Sequence, residues 1–214
     1  MASLSASATS WCPTSAVRWS TPSTRAERVF VLVITGPSGV GKGTLIAALR
    51  ARQPELELSV SATTRAPRSG ETNGLEYHFL TDEQFEERLA RDEFLEHATY
   101  AGNRYGTLRS ELERDAPGLI LEIELEGARQ VASSLPSATR VFIAPPSVEA
   151  LRRRLVGRGA DSPEQIESRL TRAEEELAAQ EEFLYVVVND EVERATGELE
   201  DLVAKVKDQQ QRST

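Results

Sequence analysis

The sequence predicts an α/β fold in which helices cover both faces of a parallel sheet. Four continuous apolar runs have the composition of buried parallel strands, and they lie at residues 29–35, 119–125, 141–144 and 183–189. Helical periodicity occurs between them, at residues 44–52, 127–133, 148–156 and 163–182. Alternation of strands and helices is typical of a parallel sheet, because a crossover helix connects each strand to the next.

One segment interrupts this alternation. Its apolar residues first alternate at period 2, at Leu56, Leu58 and Val60. The turn-rich stretch APRSGETNG and a helical pattern at residues 82–91 follow. We interpret the segment as a small mixed α/β insertion at the edge of the core.

The predicted domain organisation consists of a core, an insertion, a lid and two tails. The core comprises residues 28–59, 111–148 and 173–208, the insertion 60–110, the lid 149–172, and the tails 1–27 and 209–214.

Composition and charge argue against several classes of protein. The net charge is −9 at pH 7, so a nucleic-acid partner is not expected. Cys12 is the only cysteine, and His78 and His97 lie far apart in the sequence, which argues against disulfides and against a metal site of nitrogen and sulfur ligands. No apolar run approaches the roughly 18–20 residues of a membrane-spanning helix, so no membrane partner is expected.

Residues 1–26 are rich in Ser, Thr and Ala and contain no acidic residue. A disordered tail, a start codon assigned too far upstream and an organellar transit peptide all fit this composition. We expect a cytoplasmic protein, with an organelle as the alternative if the segment is a transit peptide.

The stretch GPSGVGKGT indicates a phosphate-binding loop. It fits the pattern G-x-x-x-x-G-K, follows a predicted strand and opens a predicted helix, which is the context that this motif requires. Glycines let backbone N–H groups converge on phosphate oxygens, and the helix N-terminus adds a partial positive charge. The predicted phosphate-binding residues are Gly36, Pro37, Ser38, Gly39, Val40, Gly41, Lys42, Gly43 and Thr44.

One position departs from the general motif. Gly43 stands where Ser or Thr usually offers a hydroxyl to Mg²⁺. Thr44, one residue later, is therefore the candidate metal ligand, unless water and phosphate oxygens hold the ion without it. Mg²⁺ often keeps several waters, so either arrangement is feasible.

A longer series of motifs resembles the guanylate kinases. The stretch SVSATTRAPRSGETNGLEYHF at residues 59–79 has every fixed position of that family's S-x-T-T-R-x-P-R-x-G-E-x-x-G-x-x-Y-x-F pattern. Further matches follow in order, namely E-F-L-E, G-N-x-Y-G-T, G-A-R-Q-V, A-P-P-S, R-x-x-G-R-G and V-N-D at residues 93–96, 102–107, 127–131, 144–147, 154–159 and 188–190. The resemblance covers residues 29–206 and implies a P-loop kinase fold with a GMP-binding insertion and a helical lid.

The resemblance also implies an acceptor site for GMP. Arg65, Arg68, Tyr77 and Tyr105 match the residues that bind the GMP phosphate, and guanidinium forks suit a phosphate dianion. Ser61, Glu96 and Thr107 match the residues that read the base. A carboxylate at Glu96 would accept both the N1–H and the N2–H₂ of guanine. By spacing alone, the two arginines would instead belong to a solvated surface.

The catalytic residues implied by the resemblance are cationic. Lys42 belongs to the phosphate loop, and Arg154, Arg158 and Arg169 match the arginines of the lid. Phosphoryl transfer needs alignment and charge stabilisation rather than a catalytic base. The alternative is an amphipathic helix with a solvated basic face, but Gly157 and Gly159 around Arg158 favour a mobile loop. Asn189 matches a loop near the adenine of ATP, although a turn after a strand is an equally good interpretation.

Three glutamates depart from the family pattern. Glu122 and Glu124 replace the usual aspartates near Mg²⁺ and the acceptor base, and Glu126 replaces a glutamine. The longer side chains could re-aim the contacts of the first two, and Glu126 would add negative charge near the phosphates.

We therefore predict an enzyme of purine nucleotide metabolism that transfers the γ-phosphoryl group of ATP to GMP, and to dGMP, with Mg²⁺. The alternatives are a P-loop kinase for a different phosphorylated acceptor and a non-catalytic guanylate-kinase-like interaction module. The sequence is compatible with a monomer or a homo-oligomer.

Overall fold

A computed structural model describes residues 29–100, 102–157 and 162–212. The predicted tail at residues 1–27 and the predicted lid residue Arg158 lie outside the described residues. The nine strands of the described part are β1 Phe30–Thr35, β2 Leu56–Leu58, β3 Ala62–Thr63, β4 His78–Phe79, β5 Phe94–Tyr100, β6 Asn103–Leu108, β7 Gly118–Glu122, β8 Thr139–Ala144 and β9 Tyr185–Val188.

The six α-helices of the described part are α1 Lys42–Arg52, α2 Asp82–Ala90, α3 Leu125–Ser134, α4 Val148–Gly157, α5 Pro163–Ala178 and α6 Val192–Arg212. Short 3₁₀ helices occur at Arg109–Glu113 and Ala179–Glu182. None of the helices in the described ranges is long and apolar enough to cross a membrane.

The core sheet has the strand order β2-β7-β1-β8-β9, and all of its strand pairs are parallel. The central strand β1 is buried on both faces. Its residues Phe30, Leu32 and Ile34 pack with one hydrophobic cluster, and the alternate residues Val31 and Val33 pack with another. This alternation follows from the pleat of a strand and confirms the predicted parallel sheet flanked by helices.

The insertion contains a second sheet with the order β4-β3-β6-β5. Strands β5 and β6 are antiparallel, and Glu96 on β5 lies opposite Thr107 on β6. Helix α2 begins with a capping box in which Thr81 and Gln84 exchange hydrogen bonds between side chain and backbone. Phe85 on this helix stacks on Phe94 with a centroid distance of 4.3 Å, so the insertion has a small hydrophobic core of its own.

One predicted strand is shorter than expected. The predicted strand at 119–125 ends at Glu122, because the chain turns at Glu124 to begin α3 at Leu125. Strand β2, which lies within the predicted core range 28–59, pairs with β7 in the core sheet. A core edge strand exposed on one side produces its period-2 pattern.

Helix α6 was not predicted from the sequence, and it continues to Arg212, whereas a tail was expected from residue 209. Its buried apolar residues are Ala195, Leu199, Val203 and Val206. Their spacing of four, four and three residues is that of one helix face, so the helical signal was present in the sequence.

Candidate active site

The loop after β1 has a backbone that glycine alone adopts easily. Gly36 has φ +142°, and a Cβ there would overlap the carbonyl oxygen of Ile143 on β8. Gly41 has φ +101°, and a Cβ there would lie 2.6 Å from Nδ2 of Asn189. Gly41 is also the N-cap of α1 and has no side chain to cap the helix. The first N–H groups of α1 are therefore directed to the space above the loop, where an anion is favoured.

Lys42 is the first residue of α1, and its side chain folds back into the loop. Its side chain is buried, and Nζ donates hydrogen bonds to the carbonyl oxygens of Gly36 at 2.6 Å and Pro37 at 3.4 Å. The ammonium group is thus held beside the N-terminus of α1, at the carboxyl end of the central strand. In parallel α/β sheets this end of the strands is where ligands bind.

The middle of the loop is held from behind. Nδ2 of Asn189 and Nη1 of Arg154 donate to the carbonyl oxygen of Val40 at 2.8 and 2.9 Å. Nη2 of Arg154 also donates to the carbonyl oxygen of Asn189 at 2.7 Å. Asn189 is only 3% exposed. In this structure both side chains therefore support the loop rather than face the space above it.

A cavity of ≈ 500 Å³ lies between the loop and the insertion. Fourteen of the predicted site residues line it, and they are Ser38, Gly39, Gly41, Lys42, Gly43, Thr44, Ser61, Arg65, Arg68, Tyr77, Glu96, Tyr105, Glu122 and Glu124. Loop residues and insertion residues thus meet around one space, although they are separated by up to about seventy positions in the chain.

The other predicted site residues lie elsewhere in the described part of the chain. Gly36, Pro37 and Val40 form the underside of the loop, together with Arg154 and Asn189. Thr107 is fully buried behind Glu96, and Arg169 is half-buried on α5. The roles predicted for these residues stay predictions.

Two glutamates form the wall between the loop and the insertion. Burial raises the pKa of Glu122, and Lys42 opposes this shift by stabilising the carboxylate. Oε2 of Glu122 lies 4.0 Å from where a Cβ of Gly43 would stand. Oε2 of Glu124 is buried and accepts no hydrogen bond from the described residues. Both groups therefore present hard oxygen ligands to the cavity.

Glu126 is exposed on the first turn of α3 and lies outside this wall. It forms an ion pair of 3.8 Å with Arg129. Glu126 does not line the cavity, and its effect on bound phosphates stays a prediction.

The insertion side contributes a cluster of Arg and Tyr side chains. Arg65 forms a bidentate pair with Glu71 at 2.9 and 3.0 Å, and the backbone N–H of Arg68 donates to Glu71 at 2.7 Å. The guanidinium carbon of Arg65 lies 5.2 Å from the centre of the Tyr77 ring, and Tyr77 contacts Tyr105 edge to face at 6.1 Å. Glu71 was not predicted as a site residue, although it stands in the same motif. Its pKa is lowered mainly by the hydrogen bond from Arg65.

Glu96 is the most buried ionisable group of the insertion side, with 4% of its surface exposed. Oε1 accepts a hydrogen bond of 2.7 Å from the hydroxyl of Thr107. Burial raises its pKa to about 7, and the Thr107 hydrogen bond opposes that rise. Burial therefore favours the protonated form of this carboxyl group more than it is favoured in a solvent-exposed glutamate.

Strand β5 supplies further cavity residues that were not predicted. Ala98 and Tyr100 line the cavity together with Glu96. These alternate positions share one face of the strand, so the period-2 rule applied to Glu96 could have found them. The guanidinium carbon of Arg172 on α5 lies 4.5 Å from the centre of the Tyr100 ring, and Nη2 lies 3.9 Å from Oε2 of Glu124. The lid side of the molecule therefore reaches the cavity through Arg172.

Across the described ranges, no group of three or more His, Cys, Asp or Glu side chains could hold a metal ion. A metal bound in the cavity would therefore need other oxygen ligands in addition to the carboxylates.

Comparison with known proteins identifies the family. The family model described as guanylate kinase matches residues 28–206. A guanylate kinase of Synechococcus sp. (strain CC9311) is 58% identical over 171 residues, which cover 78% of this chain and 90% of the relative. A guanylate kinase of Frankia casuarinae is 56% identical over 170 residues, which cover 78% of this chain and 92% of the relative.

A solved structure agrees with this result. The crystal structure of guanylate kinase from Anaplasma phagocytophilum matches with a TM-score of 0.67 and 31% identity, over 84% of this chain and 86% of that chain. The predicted P-loop kinase fold and the resemblance drawn from the motifs are confirmed. The chain belongs to the guanylate kinase family of enzymes.

Proposed function

We propose that this protein transfers the γ-phosphoryl group of ATP to GMP, and to dGMP, and produces ADP with GDP or dGDP. The observation that carries the proposal is the single cavity that a phosphate loop lines on one side and Arg65, Arg68 and Glu96 line on the other. A phosphoryl donor on the loop and a phosphorylated acceptor on the insertion would face each other across this space. Such alignment is the main requirement of phosphoryl transfer.

The donor side would bind the phosphates of ATP. The N–H groups at the start of α1 and the ammonium group of Lys42 would neutralise the β- and γ-phosphates. Asn189 would act near the adenine and also hold the loop through Val40. The lid arginines Arg154, Arg158 and Arg169 would stabilise charge on the transferred group, since arginines in this role contribute roughly 10³–10⁵ in rate.

Mg²⁺ fits this donor set. Thr44, Glu122 and Glu124 line the cavity with oxygen atoms, and the buried Oε2 of Glu124 lacks a hydrogen bond from the described residues. Mg²⁺ prefers such ligands together with water and substrate phosphates. When bound, the ion would neutralise charge on the β- and γ-oxygens of ATP.

The acceptor side would bind GMP. Arg65, Arg68, Tyr77 and Tyr105 would hold its phosphate, with Glu71 keeping the guanidinium of Arg65 in place. The ionised carboxylate of Glu96 would accept N1–H and N2–H₂ of guanine, while Thr107 donates to the same carboxylate. Ser61, which directly precedes β3 and lines the cavity, would also contact the base. A site of this kind can reject an unmatched base by about 10⁴-fold, because buried polar groups would be left unpaired.

The family match and the intact loop with Lys42 favour an enzyme over a non-catalytic interaction module. We propose a cytoplasmic enzyme of purine nucleotide metabolism, active as a monomer or a homo-oligomer without a nucleic-acid or membrane partner. An organelle is the alternative location, if residues 1–26 act as a transit peptide.

The test is ADP release from Mg-ATP with one acceptor at a time, using GMP, AMP, CMP and UMP. We expect turnover with GMP and at least 10³-fold lower kcat/KM with the other three. Turnover with a different nucleotide would overturn the acceptor assignment. Measurable ATP binding with no turnover of any acceptor would instead favour the binding module or another acceptor.

A further inference from the structure

Strand β5, which carries Glu96, is an edge strand of the insertion sheet. It pairs with β6 on one side only. The N–H and C=O groups of an edge strand that point away from its neighbour need other partners when they are not in water. On β5 these groups face helix α3 of the core.

Gln130 on α3 satisfies this edge at a single residue. Its Oε1 accepts a hydrogen bond of 2.9 Å from the backbone N–H of His97, and its Nε2 donates one of 2.7 Å to the carbonyl oxygen of His97. A carboxamide is the side-chain group that offers one acceptor and one donor side by side. Gln130 therefore replaces a neighbouring strand at the residue directly after Glu96.

The same face of α3 shapes the space around the carboxylate. A Cβ at Gly127, one turn before Gln130, would overlap Oε2 of Glu96. Leu95, on the other side of Glu96 in the chain, is buried in the core cluster that contains Val131 of α3. Helix α3 thus fixes the residues before and after Glu96 and leaves room for its side chain through the absence of a Cβ at Gly127.

We propose that Gln130 is a positioning residue for recognition of the acceptor base, because it holds β5 against α3 at the depth where Glu96 faces the cavity between Gly127 and Thr107. The proposal rests on the proposed function, in which Glu96 reads guanine. Gln130 itself would not touch the nucleotide. Its loss would let β5 move away from the core, which weakens the contact with guanine and leaves the phosphate loop unchanged.

The test uses the full-length chain with Gln130→Met, which keeps the length of the side chain and removes both hydrogen bonds. We expect KM for GMP to rise about tenfold, since two neutral hydrogen bonds are lost and each contributes a factor of roughly two to ten. KM for ATP should stay within twofold. Preference for GMP over IMP, which lacks the 2-amino group, should fall by a similar factor. The exchange of the His97 amide proton should accelerate more than that of His78, whose amide donates a hydrogen bond of 2.9 Å to the carbonyl oxygen of Ser61 within the insertion.

Ser133→Ala, an exposed change on the same helix, is the matched control and should leave all four measurements unchanged. Gln130→Glu keeps one hydrogen bond and places a second acceptor against the carbonyl of His97, so it should also raise KM for GMP and not KM for ATP. If Gln130→Met does not fold, the same KM values are measured on Gln130→Glu. Equal changes in both KM values, or unchanged preference for GMP over IMP in the folded variant, would assign Gln130 a structural role only and overturn the proposal.

The two proposals fail in different ways. If the unaltered protein does not use GMP, or if Glu96→Gln keeps the preference for GMP over IMP, the proposed function of Glu96 fails. If Glu96→Gln loses that preference and Gln130→Met does not, only the positioning role fails.

Discussion

The two sides of the cavity are constructed in different ways. On the loop side the binding surface is mostly backbone, with Gly36 and Gly41 at positive φ and with the free N–H groups of α1. On the insertion side it is made of side chains such as Arg65 and Glu96, which other side chains hold in place. A backbone surface is set when the loop folds, whereas a side-chain surface depends on partners from several elements. Single substitutions on the loop side should therefore cause large losses of activity or stability. On the insertion side, conditions such as pH should change the affinity for the acceptor.

The largest effect is expected at Lys42, a loop-side residue that acts through its side chain. Lys42→Met should reduce kcat by about 10²–10³-fold, because a preorganised charge at the transferred group is lost. Steady-state ADP release under saturating substrates measures it. Lys205→Met removes an exposed lysine of α6 and should have no effect. A change in kcat of less than threefold for Lys42→Met would show that the loop acts through its backbone alone.

A smaller effect is expected for the backbone of the same loop. Gly41→Ala should lower the free energy of unfolding by about 2–3 kcal/mol, since it combines a strained φ with a close approach to Asn189. Gly70→Ala has a similar φ of +88° with no atom near the added Cβ, so it should cost only about 1 kcal/mol. Thermal or denaturant unfolding separates the two. Equal losses would mean that φ, and not the contact with Asn189, sets the requirement for glycine.

The smallest effect is expected from pH on the insertion side. Burial raises the pKa of Glu96 to about 7, and in the proposed function guanine binds the ionised form. KM for GMP should therefore rise about fivefold from pH 7 to pH 6, as the ionised fraction of Glu96 falls, and change little above pH 8. Part of any change near pH 6 comes from the GMP phosphate itself. In Glu96→Gln only the contribution of the GMP phosphate remains. If this variant had the same pH profile of KM as the unaltered protein, the role of Glu96 would be contradicted.

The same group makes stability depend on pH with a defined sign. The folded-state pKa of Glu96 lies above the usual value of 4.5, so between pH 4.5 and about 7 the folded state binds more protons than the unfolded state. Stability from this group is therefore lost as pH rises through that window. Glu96→Gln should flatten the pH dependence of unfolding there.

How much the sequence predicts also differs between the two sides. The loop follows from local spacing, because a glycine pattern after a strand and before a helix defines its own backbone. Glu96 looks like any exposed acid until the family resemblance assigns it. Its contact with Thr107 depends on the pairing of β5 with β6, and its support by Gln130 depends on docking of the insertion on the core. Such contacts join distant residues and leave no periodic signal.

The same limit applies to the residues behind the loop. Arg154 and Asn189 were predicted from motifs that resemble the family, but their contact with Val40 could not be predicted, since it joins segments more than a hundred residues from the loop. In contrast, the missed helix α6 did carry a readable pattern in Ala195, Leu199 and Val203. Tertiary contacts, and not missing periodicity, therefore account for what the sequence could not predict at the site.

The shared carbonyl oxygen of Val40 imposes a mechanical constraint on the molecule. It accepts hydrogen bonds from α4, through Arg154, and from the segment after β9, through Asn189. A displacement of α4 must either pull the loop with it or break the bond from Arg154. As long as the bond from Arg154 holds, a displacement of α4 therefore also displaces the middle of the phosphate-binding loop.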